Sequence, residues 1–573
     1  MKLNISQYAN FIWSVADLLR GDYKQSDYGK VILPLTVLRR LDCDLEDTKE
    51  IVLKQYGSIK DKQIDDPDIL LNKIAGRKFH NHSQFDFNKL IADPSNIAPN
   101  LRNYLNGFSK DARDIIENFE FDKQIIKLDK ADLLYQVVKK FQEIDLNPKK
   151  VTNLEMGYIF EELIRKFAES SNETAGEHFT PREVIRLMVN LLFTNDNEIL
   201  SKKSIVKTIY DPACGTGGML TVAEDYLQEL NPDARLELFG QEINPESYAI
   251  CKSDMMVTGH NAEHIRFGDT LRDDKLSNVQ FDYMLSNPPF GVKWNKAQKE
   301  VVSEHEDLGY GGRFGAGLPS ISDGSLLFLQ TMLAKMKPSN GGSRLSIVFN
   351  GSPLFTGSAG SGPSDIRKWI IENDLLEAII ALPDQLFYNT GISTYIWILT
   401  NRKSNERKGK IQLINAVNFY KKMSKSLGNK RHEIADEDIA KIVEMHGEIK
   451  SGKFSKIFDN EDFGYNQIAI ERPQIDKNGK IITDKGGNPK PDTSLRDREN
   501  VPLKEDIHEY FEREVKPHVP DAWIDESQTK VGYEINFTKH FYEYKPLRSL
   551  EEITKDILEL EKESDGLLKE ILS

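Results

Sequence analysis

Short apolar runs alternate with helical patterns through the middle of the chain, which predicts strands that alternate with helices. The predicted strands are residues 204–210, 235–240, 265–268, 281–285, 345–349, 376–382 and 394–399. A helical pattern follows the first strand, and its apolar face contains Leu220, Ala223, Tyr226, Leu227 and Leu230. This order predicts an α/β fold with a doubly wound, Rossmann-like sheet, in which ligands bind beyond the carboxyl ends of the strands.

The two ends of the chain differ from this middle part. Residues 1–150 carry leucine, lysine and aspartate at helical spacing, which predicts a helical N-terminal domain. Polarity rises after about residue 402, and the last apolar repeat is Leu550, Ile553, Ile557, Leu560, Leu567 and Leu568. This near-heptad repeat predicts a C-terminal helical tail that covers the protein's own surface or docks on a partner's helices. We therefore expect three parts: residues 1–150, residues 151–420, and a polar extension over residues 421–573.

Composition limits the class of protein. A chain of 573 residues is too long for one hydrophobic core, so two or three domains are expected. The three cysteines, Cys43, Cys214 and Cys251, give no disulfide framework and fit a reducing cytoplasm. No apolar stretch approaches the ~18 residues of a membrane span, and the first residues lack the layout of a signal peptide. We expect a cytoplasmic protein without a membrane partner.

The fourth predicted strand ends in Asn287, Pro288, Pro289 and Phe290, which carry the most informative chemistry. Each proline fixes its own φ and restricts the residue before it, so the segment predicts a rigid arch. The side-chain oxygen of Asn287 and the carbonyl of Pro288 then become convergent hydrogen-bond acceptors, with the ring of Phe290 beside them. Such an arch suits a planar exocyclic amine like that of adenine, although an ordinary proline-rich turn can have the same residues.

A glycine-rich turn follows the first predicted strand, with the sequence DPACGTGG over residues 211–218. The turn differs from the dinucleotide fingerprint and from the phosphate-binding loop, because it begins with Asp211 and has no lysine. A carboxylate there suits a cationic ligand. Glu242 and Asp269 follow at the ends of the second and third strands, where they suit the ribose hydroxyls and the amine of an adenine nucleoside. Each acid alone is more often simply solvated, but the ordered series favours a site.

In this order the residues resemble the amino-methyltransferases that use S-adenosylmethionine. Residues 211–218 resemble the cofactor loop of those enzymes, and residues 287–290 resemble their catalytic motif. Residues 176–182, with the sequence GEHFTPR, are similar to a further cofactor-binding segment in one subclass of adenine-N6 DNA methyltransferases. Together with residues 11–13, 35–41, 312–315 and 386–392, they make the chain resemble the modification subunit of type I restriction–modification systems.

The resemblance implies the residues of the site. The implied cofactor contacts are Glu177, His178, Phe179, Thr180, Pro181, Arg182, Gly215, Thr216, Gly217, Gly218 and Glu242, with Asp211 and Asp269 as supporting acids. His178 stands where an aromatic residue is common in the family. The implied catalytic residues are Asn287, Pro288, Pro289 and Phe290. Cys214 is expected to be a small residue of the loop and not a nucleophile.

The implied reaction is the transfer of a methyl group from S-adenosylmethionine to N6 of adenine in DNA. The N6 lone pair is delocalised into the ring, and hydrogen bonds to Asn287 and Pro288 favour a nitrogen whose lone pair is available. Orientation against the sulfonium methyl supplies further rate enhancement. The base must leave the duplex to reach such a site, and we expect Phe290 to stack on it. The reaction needs neither a cysteine nucleophile nor a metal ion.

The net charge of the chain indicates whether it is expected to bind DNA without a partner. The formal charge of −14 is unfavourable for a protein that holds DNA by itself, because phosphate contacts dominate affinity. An acidic subunit that relies on a partner for its DNA contact resolves this conflict. The resemblance implies such partners: a specificity (S) subunit, a second copy of the modification (M) subunit and a restriction (R) subunit, acting on double-stranded DNA.

Three other functions are weighed against this one. The arch also resembles that of methyltransferases acting on RNA bases or protein glutamine, which are usually much smaller and lack long helical flanks. A scaffold that binds the cofactor as a regulatory ligand would not need an intact arch. A fused restriction–methylation enzyme would need a motor and a nuclease, but the sequence has no phosphate loop, and the fragment Glu514-Val515-Lys516 is too short to indicate a nuclease.

Overall fold

The computed structural model of the protein describes residues 5–560, apart from residues 63, 172–179, 195, 197, 198, 200, 290, 339, 340, 389, 478 and 543–548. The chain divides into two compact units, Met1–Ile535 and Asn536–Ser573. Among the described residues, every helix is too short or too polar to cross a lipid bilayer.

Helices make up the N-terminal part of the first unit. They are α1 Ile5–Trp13, α2 Val15–Leu19, α3 Gly29–Leu45, α4 Lys49–Ile59, α5 Pro67–Ala75, α6 Phe87–Ile91, α7 Ile97–Asn106, α8 Lys110–Asn118, α9 Phe121–Lys130, α10 Leu134–Gln142 and α11 Asn153–Ser171. Their apolar faces share one core, as in α8, where Ala112, Ile115 and Ile116 are buried on one face. The predicted helical N-terminal region is confirmed.

Fourteen strands follow in the described part of the chain. They are β1 Val206–Asp211, β2 Arg235–Glu242, β3 Ile265–Phe267, β4 Tyr283–Ser286, β5 Arg344–Asn350, β6 Leu376–Ala381, β7 Thr394–Thr400, β8 Lys410–Asn415, β9 Lys421–Leu427, β10 Lys430–Glu433, β11 Ser455–Asp459, β12 Gly464–Glu471, β13 Asp497–Pro502 and β14 Trp523–Tyr533. All seven predicted strands are present as β1–β7.

Nine of these strands form one sheet in the order β11-β8-β6-β7-β5-β4-β1-β2-β3. β7 runs antiparallel to β5 and β6, and β11 runs antiparallel to β8, whereas the remaining pairs are parallel. The order reverses at β1, which has β2 on one side and β4 on the other. Ligands bind at such a switch point in doubly wound sheets. The predicted doubly wound fold is confirmed.

Helices cover the sheet and connect its strands. They are α12 Arg182–Phe193, α13 Gly218–Leu230, α14 Pro245–Thr258, α15 Gln298–Leu308, α16 Ser325–Ala334, α17 Ser352–Phe355, α18 Gly362–Glu372 and α19 Asp436–Glu448. Asn244 caps the start of α14, and its side-chain oxygen accepts hydrogen bonds from the N–H groups of Glu246 and Ser247, each at 2.9 Å. Ala249 and Ile250 of α14 also belong to the core of the N-terminal helices, so this helix ties the two regions together.

The central sheet extends past residue 420, where the sequence predicts that the middle part of the chain ends. β11 pairs with β8, so the predicted boundary at residue 420 precedes the last strand of the sheet. Three strands form a second, antiparallel sheet in the order β13-β12-β14, and β9 pairs with β10. A short helix, α20 Ile507–Tyr510, and a π-helical turn at Phe511–Val515 pack on this second sheet.

The second unit is helical where it is described. It contains α21 Phe537–Phe541 and a helix over residues 550–560, in agreement with a predicted helical tail. The apolar residues of the tail are exposed to different degrees, from 39% for Ile553 to 82% for Leu550. Leu567 and Leu568, which complete the predicted repeat, lie outside the described residues.

Candidate active site

The carboxyl ends of β1, β2, β3 and β4 surround a cavity of about 510 Å³. Parallel strands end at the same edge of a sheet, so residues far apart in the sequence meet there. The predicted site residues that line the cavity are Thr180, Asp211, Gly215, Thr216, Gly218, Glu242, Asp269, Asn287 and Pro289. A cavity of this size, with convergent polar groups in a largely apolar lining, is typical of a small-molecule site.

Two glycines shape the turn between β1 and α13. Gly215 has φ 54° and Gly217 has φ 85°, in the left-handed region that glycine adopts without steric cost. A Cβ on Gly217 would lie only 2.7 Å from Sγ of the buried Cys251. Cys214 lies in the same turn, and its thiol pKa is raised by a hydrogen bond with Cys251 and by burial. A protonated thiol agrees with the prediction that Cys214 is not a nucleophile.

Glu242 joins the end of β2 to the glycine turn. Its Oε2 accepts the N–H of Gly215 at 2.8 Å, and its Oε1 accepts the N–H of Asn244 at 2.7 Å. Burial raises the pKa of Glu242, although these backbone donors favour the charged form. A carboxylate oxygen accepts more than one hydrogen bond, so Glu242 can hold the turn and also contact a ligand in the cavity.

Asp211 links the end of β1 to the end of β4. Its Oδ1 accepts hydrogen bonds from Oγ of Ser286 at 2.8 Å and from the N–H of Ala213 at 3.0 Å. Burial raises the pKa of Asp211 to about 7, against both hydrogen bonds. A positive charge in the cavity would favour the ionised form, because an opposite charge lowers the pKa of a carboxyl group.

Asn287 stands where β4 ends, and its side chain is buried in the wall of the cavity. Pro289 lines the same cavity, and Pro288 between them is buried. Phe290 lies outside the described residues. Because Ser286 bonds to Asp211, the start of the arch is tied to the glycine turn across the switch point of the sheet.

Arg313 fixes the segment that follows β3. Asp269 lines the cavity, and the carbonyl groups of the next two residues, Thr270 and Leu271, accept hydrogen bonds from Arg313 at 2.7 and 3.0 Å. Glu304 accepts from the Arg313 side chain and from its backbone N–H, both at 2.7 Å. Arg313 is therefore a clamp that holds the end of β3 against the loop before α16.

Part of the predicted cofactor segment precedes α12. Thr180 lines the cavity, and its Oγ1 donates to Sδ of Met219 at 3.9 Å. The carbonyl of Pro181 accepts the N–H of Val184 at 2.9 Å and so begins the helix. Three predicted contacts lie outside the described residues, namely Glu177, His178 and Phe179.

Arg182 contacts the protein rather than lining the cavity. Its Nη2 lies 2.8 Å from Oε1 of Glu161, and its Nη1 donates to the carbonyl of Gly218 at 3.3 Å. Glu161 belongs to α11 and lines the cavity itself. Arg182 therefore supports the glycine turn from behind, and its predicted cofactor contact stays a prediction.

The segment over residues 292–297 forms the outer wall of the cavity. Trp294 anchors it, because its backbone N–H donates to Ile321 at 3.2 Å and its indole N–H donates to Ser320 at 2.9 Å. The charged residues of the lining are two exposed lysines on this wall and four acids deeper in the cavity: Lys293, Lys296, Glu161, Asp211, Glu242 and Asp269. The interior of the cavity is therefore suited to a cation.

Comparison with known families agrees with this geometry. A family model described as N-6 DNA Methylase matches residues 152–478, which is more than half of the chain, and includes every described residue of the site. The chain belongs to the N-6 DNA methylase family. A second model, described as the HsdM N-terminal domain, matches residues 8–141, where the methylase has its N-terminal helices.

Individual relatives of this methylase match over most of its length. The MjaIX methylase subunit of a type I restriction enzyme from Methanocaldococcus jannaschii is 27% identical, and the match covers 83% of each chain. The MpnII methylase subunit from Mycoplasma pneumoniae is 24% identical over 78% of this chain and 85% of the relative. The solved type I methyltransferase subunit from Streptococcus thermophilus has a TM-score of 0.63 at 23% identity, over 80% of this chain and 97% of that chain, which shows the shared fold.

Two residues of the site were not assigned a role from the sequence. Glu161 lies in a helical pattern beside Glu162, and nothing local distinguishes a cavity acid from a solvated one. Arg313 lies in a segment that resembles the family, but its contacts with the end of β3 depend on tertiary structure. Both residues brace the cavity of the methylase.

Asp211→Asn is expected to change how the stability of the methylase depends on pH. The pKa of Asp211 is about 7 in the folded protein, whereas an unfolded Asp has a pKa of about 4. The folded state therefore binds the extra proton between these values, and wild-type stability falls as the pH rises through this window. The stability of the variant is compared with that of wild type by denaturant unfolding. The difference should shift in favour of the variant by roughly 1–3 kcal/mol between about pH 5 and about pH 8. An equal difference at both pH values would contradict this assignment.

Proposed function

We propose that this chain is the modification subunit of a type I restriction–modification complex and transfers a methyl group from S-adenosylmethionine to N6 of adenine in double-stranded DNA. The observation that carries the proposal is the position of Asn287, which lines the same cavity as Asp211, Glu242 and Asp269. Membership of the N-6 DNA methylase family supplies the class of reaction. In this proposal the cofactor and the target amine bind in the same cavity.

The lining of the cavity fits S-adenosylmethionine. The cofactor is cationic at its sulfonium and ammonium groups, and the deep lining carries four carboxylates. Glu242 at the end of β2 suits the ribose hydroxyls, and Asp269 at the end of β3 suits the adenine amine of the cofactor. The glycine turn lets the backbone approach the ligand closely. When bound, the cofactor supplies an electrophilic methyl group.

The residues of the arch act on the target amine. The side-chain oxygen of Asn287 and the carbonyl of Pro288 accept the two N–H groups of adenine N6, which favours a nitrogen with an available lone pair. The rigid prolines hold both acceptors in place before the base arrives. A base in a duplex must be flipped out to reach this position, and we propose that Phe290 stacks on it.

We further propose that the subunit works in the cytoplasm with a specificity subunit, a second copy of itself and a restriction subunit. The formal charge of −14 favours a DNA contact supplied by a partner. The exposed apolar residues of the helical tail, Leu550, Ile557 and Leu560, fit docking on helices of that partner. The relative from Methanocaldococcus jannaschii is itself named a subunit of a type I restriction enzyme.

The proposal is tested by expressing the chain with and without a cognate specificity protein and measuring N6-methyladenine in the DNA by mass spectrometry. Methyladenine is expected only in the co-expressing cells, and the purified chain is expected to bind S-adenosylmethionine in calorimetry. Cofactor binding without methyladenine in either culture would contradict a DNA methyltransferase. Methylation of RNA or of protein glutamine in its place would select the alternative functions.

Arg313→Lys is expected to weaken cofactor binding by about 10-fold, because an ammonium group does not reproduce the planar fork that holds two carbonyls and Glu304. Calorimetric titration with S-adenosylmethionine measures the effect. Arg272→Lys is the matched control, since the side chain of Arg272 donates to Glu300 at 3.2 Å in an exposed contact. Equal affinities for the two variants would rule out the clamp as a determinant of the cofactor site.

A further inference from the structure

Among the described residues, Glu161 is the lining acid that does not come from the end of a strand. It lies on α11, which packs against α1 and α3 of the N-terminal helices. Its side chain is only 11% exposed and faces the cavity formed by the sheet. The N-terminal helices therefore contribute a charged group to a site that is otherwise built from β1–β4 and the loops beyond them.

A buried arginine fixes the position of this carboxylate. Arg182 lies 2.8 Å from Oε1 of Glu161 and also donates to the carbonyl of Gly218 at 3.3 Å. The guanidinium lies over the ring of Tyr158, 4.8 Å from its centroid. A Cβ on Gly157 would lie 2.5 Å from Nη2 of Arg182, so the guanidinium is confined on that side too. Glu161 thus has little freedom to turn away from the cavity.

The carboxylate lies against the last glycine of the turn. A Cβ on Gly218 would be 3.2 Å from Oε1 of Glu161. Arg182 holds Oε1, and Glu161 lines the cavity. Burial raises the pKa of Glu161, and the charge and hydrogen bond of Arg182 oppose that shift. A donor in the cavity can therefore reach the carboxylate of Glu161.

The charge of Arg182 also acts on two acids that do not line the cavity. Asp225, which is exposed, and Asp254, on which the charge of Arg40 acts more strongly, both lie within its reach. A cationic ligand group in the cavity would favour the ionised form of Glu161, because an opposite charge stabilises a buried carboxylate.

We propose that Glu161 binds the ammonium group of the amino-acid half of S-adenosylmethionine, with Arg182 as the positioning residue behind it. The inference rests on the proposed function and adds a ligand contact to it. Glu242 and Asp269 suit the nucleoside half, so the amino-acid half lies toward Gly218, where Glu161 is held. An ammonium–carboxylate contact of this kind is a charge-assisted hydrogen bond, which is stronger than a neutral one.

The test compares two probes on Glu161→Gln. S-adenosylhomocysteine has the ammonium group, whereas 5′-methylthioadenosine keeps the adenine, ribose and thioether but has no amino acid. Calorimetry should show the variant binding S-adenosylhomocysteine about 10- to 100-fold more weakly, with 5′-methylthioadenosine within about twofold of wild type. The matched control is Glu162→Gln, because Glu162 is the next residue of the helix and pairs with Arg165 at 2.6 Å. It should leave both affinities unchanged.

Each outcome decides between the alternatives. Equal losses for both probes, or no loss for S-adenosylhomocysteine, would overturn the inference and leave Glu161 as part of the cavity wall only. Glu161→Asp keeps the charge and should retain more S-adenosylhomocysteine affinity than Glu161→Gln. If Glu161→Gln does not fold, Glu161→Asp takes its place in the comparison with wild type. Wild-type protein that binds neither probe nor S-adenosylmethionine would instead contradict the proposed function itself.

Discussion

Asn287→Ala is expected to lower the rate of methyl transfer at least about 100-fold while leaving the affinity for S-adenosylmethionine within about threefold. The reason is that a pre-placed hydrogen-bond partner of the reacting group typically contributes about 100- to 1,000-fold to the rate. Asn287 is buried at the end of β4, so its side-chain oxygen is held in place by the fold before the substrate binds. Alanine keeps the strand and removes only that oxygen and its amide.

The rate is measured as methyl incorporation into DNA by the complex with the specificity subunit, at saturating cofactor and DNA. Asn261→Ala is the control, because Asn261 is an exposed asparagine that precedes β3, whereas the site lies beyond the carboxyl ends of the strands. It should retain wild-type activity. A rate within about fivefold of wild type for Asn287→Ala, or an equal loss of cofactor affinity, would show that the arch does not act in the transfer step.

The central sheet could be predicted because its strands are apolar runs bounded by turns. The seven predicted strands match β1–β7 within about two residues at each end. Their burial explains this success, since β6 is buried at every residue and β5 at all but its last. A strand buried on both faces has a continuous apolar sequence that polar loops interrupt clearly.

The later strands lack that signal. β9 has the sequence KKMSKSL and β13 has the sequence DRENVP, both dominated by polar residues. They are held by pairing, β9 with β10 and β13 with β12, and in β13 Val501 is the one buried residue. The tendency of a segment to form a strand depends on its neighbours in the sheet, which a local pattern does not contain.

The same distinction applies to the site. Asp211, Glu242, Asp269 and Asn287 could be predicted to meet because parallel strands deliver their carboxyl ends to one edge. The supports behind them could not, because each is a contact between elements. The cofactor contact of Arg182 stays a prediction, and its contacts with Glu161 and Gly218 could not be predicted from the sequence. Sequence order locates strand ends, whereas the residues that brace those ends are known only from packing.

Gly217→Ala tests the strictest of these packing requirements, and it is expected to destabilise the protein by roughly 2–5 kcal/mol and to abolish cofactor binding. Two costs add in this variant. A left-handed backbone costs an L-residue about 1–2 kcal/mol, and Gly217 has φ 85°. Overpacking a buried site costs about 1–3 kcal/mol, and the new Cβ would lie 2.7 Å from Sγ of Cys251. The turn must move away from α14, which displaces the backbone that faces the cofactor.

Gly259→Ala separates the two costs. Gly259 has φ 79°, close to that of Gly217, but a Cβ there would meet no atom within 4 Å. Denaturant unfolding should therefore show a loss of only about 1–2 kcal/mol for Gly259→Ala, with cofactor affinity unchanged. Equal losses of stability for the two variants would mean that the contact with Cys251 is not what excludes a side chain at position 217.

Cys251→Ala should then partly rescue Gly217→Ala. Truncation of Cys251 removes the Sγ atom that the new Cβ would overlap, and the next nearest atom is Cε of Met255 at 3.5 Å. The loss of stability in the double variant is expected to be smaller than the sum of the two single losses, by roughly 1–2 kcal/mol. The double variant should also recover measurable cofactor binding. The backbone cost at Gly217 remains in every variant, so rescue should be incomplete. Strictly additive losses would place the origin of the glycine requirement in the backbone conformation alone.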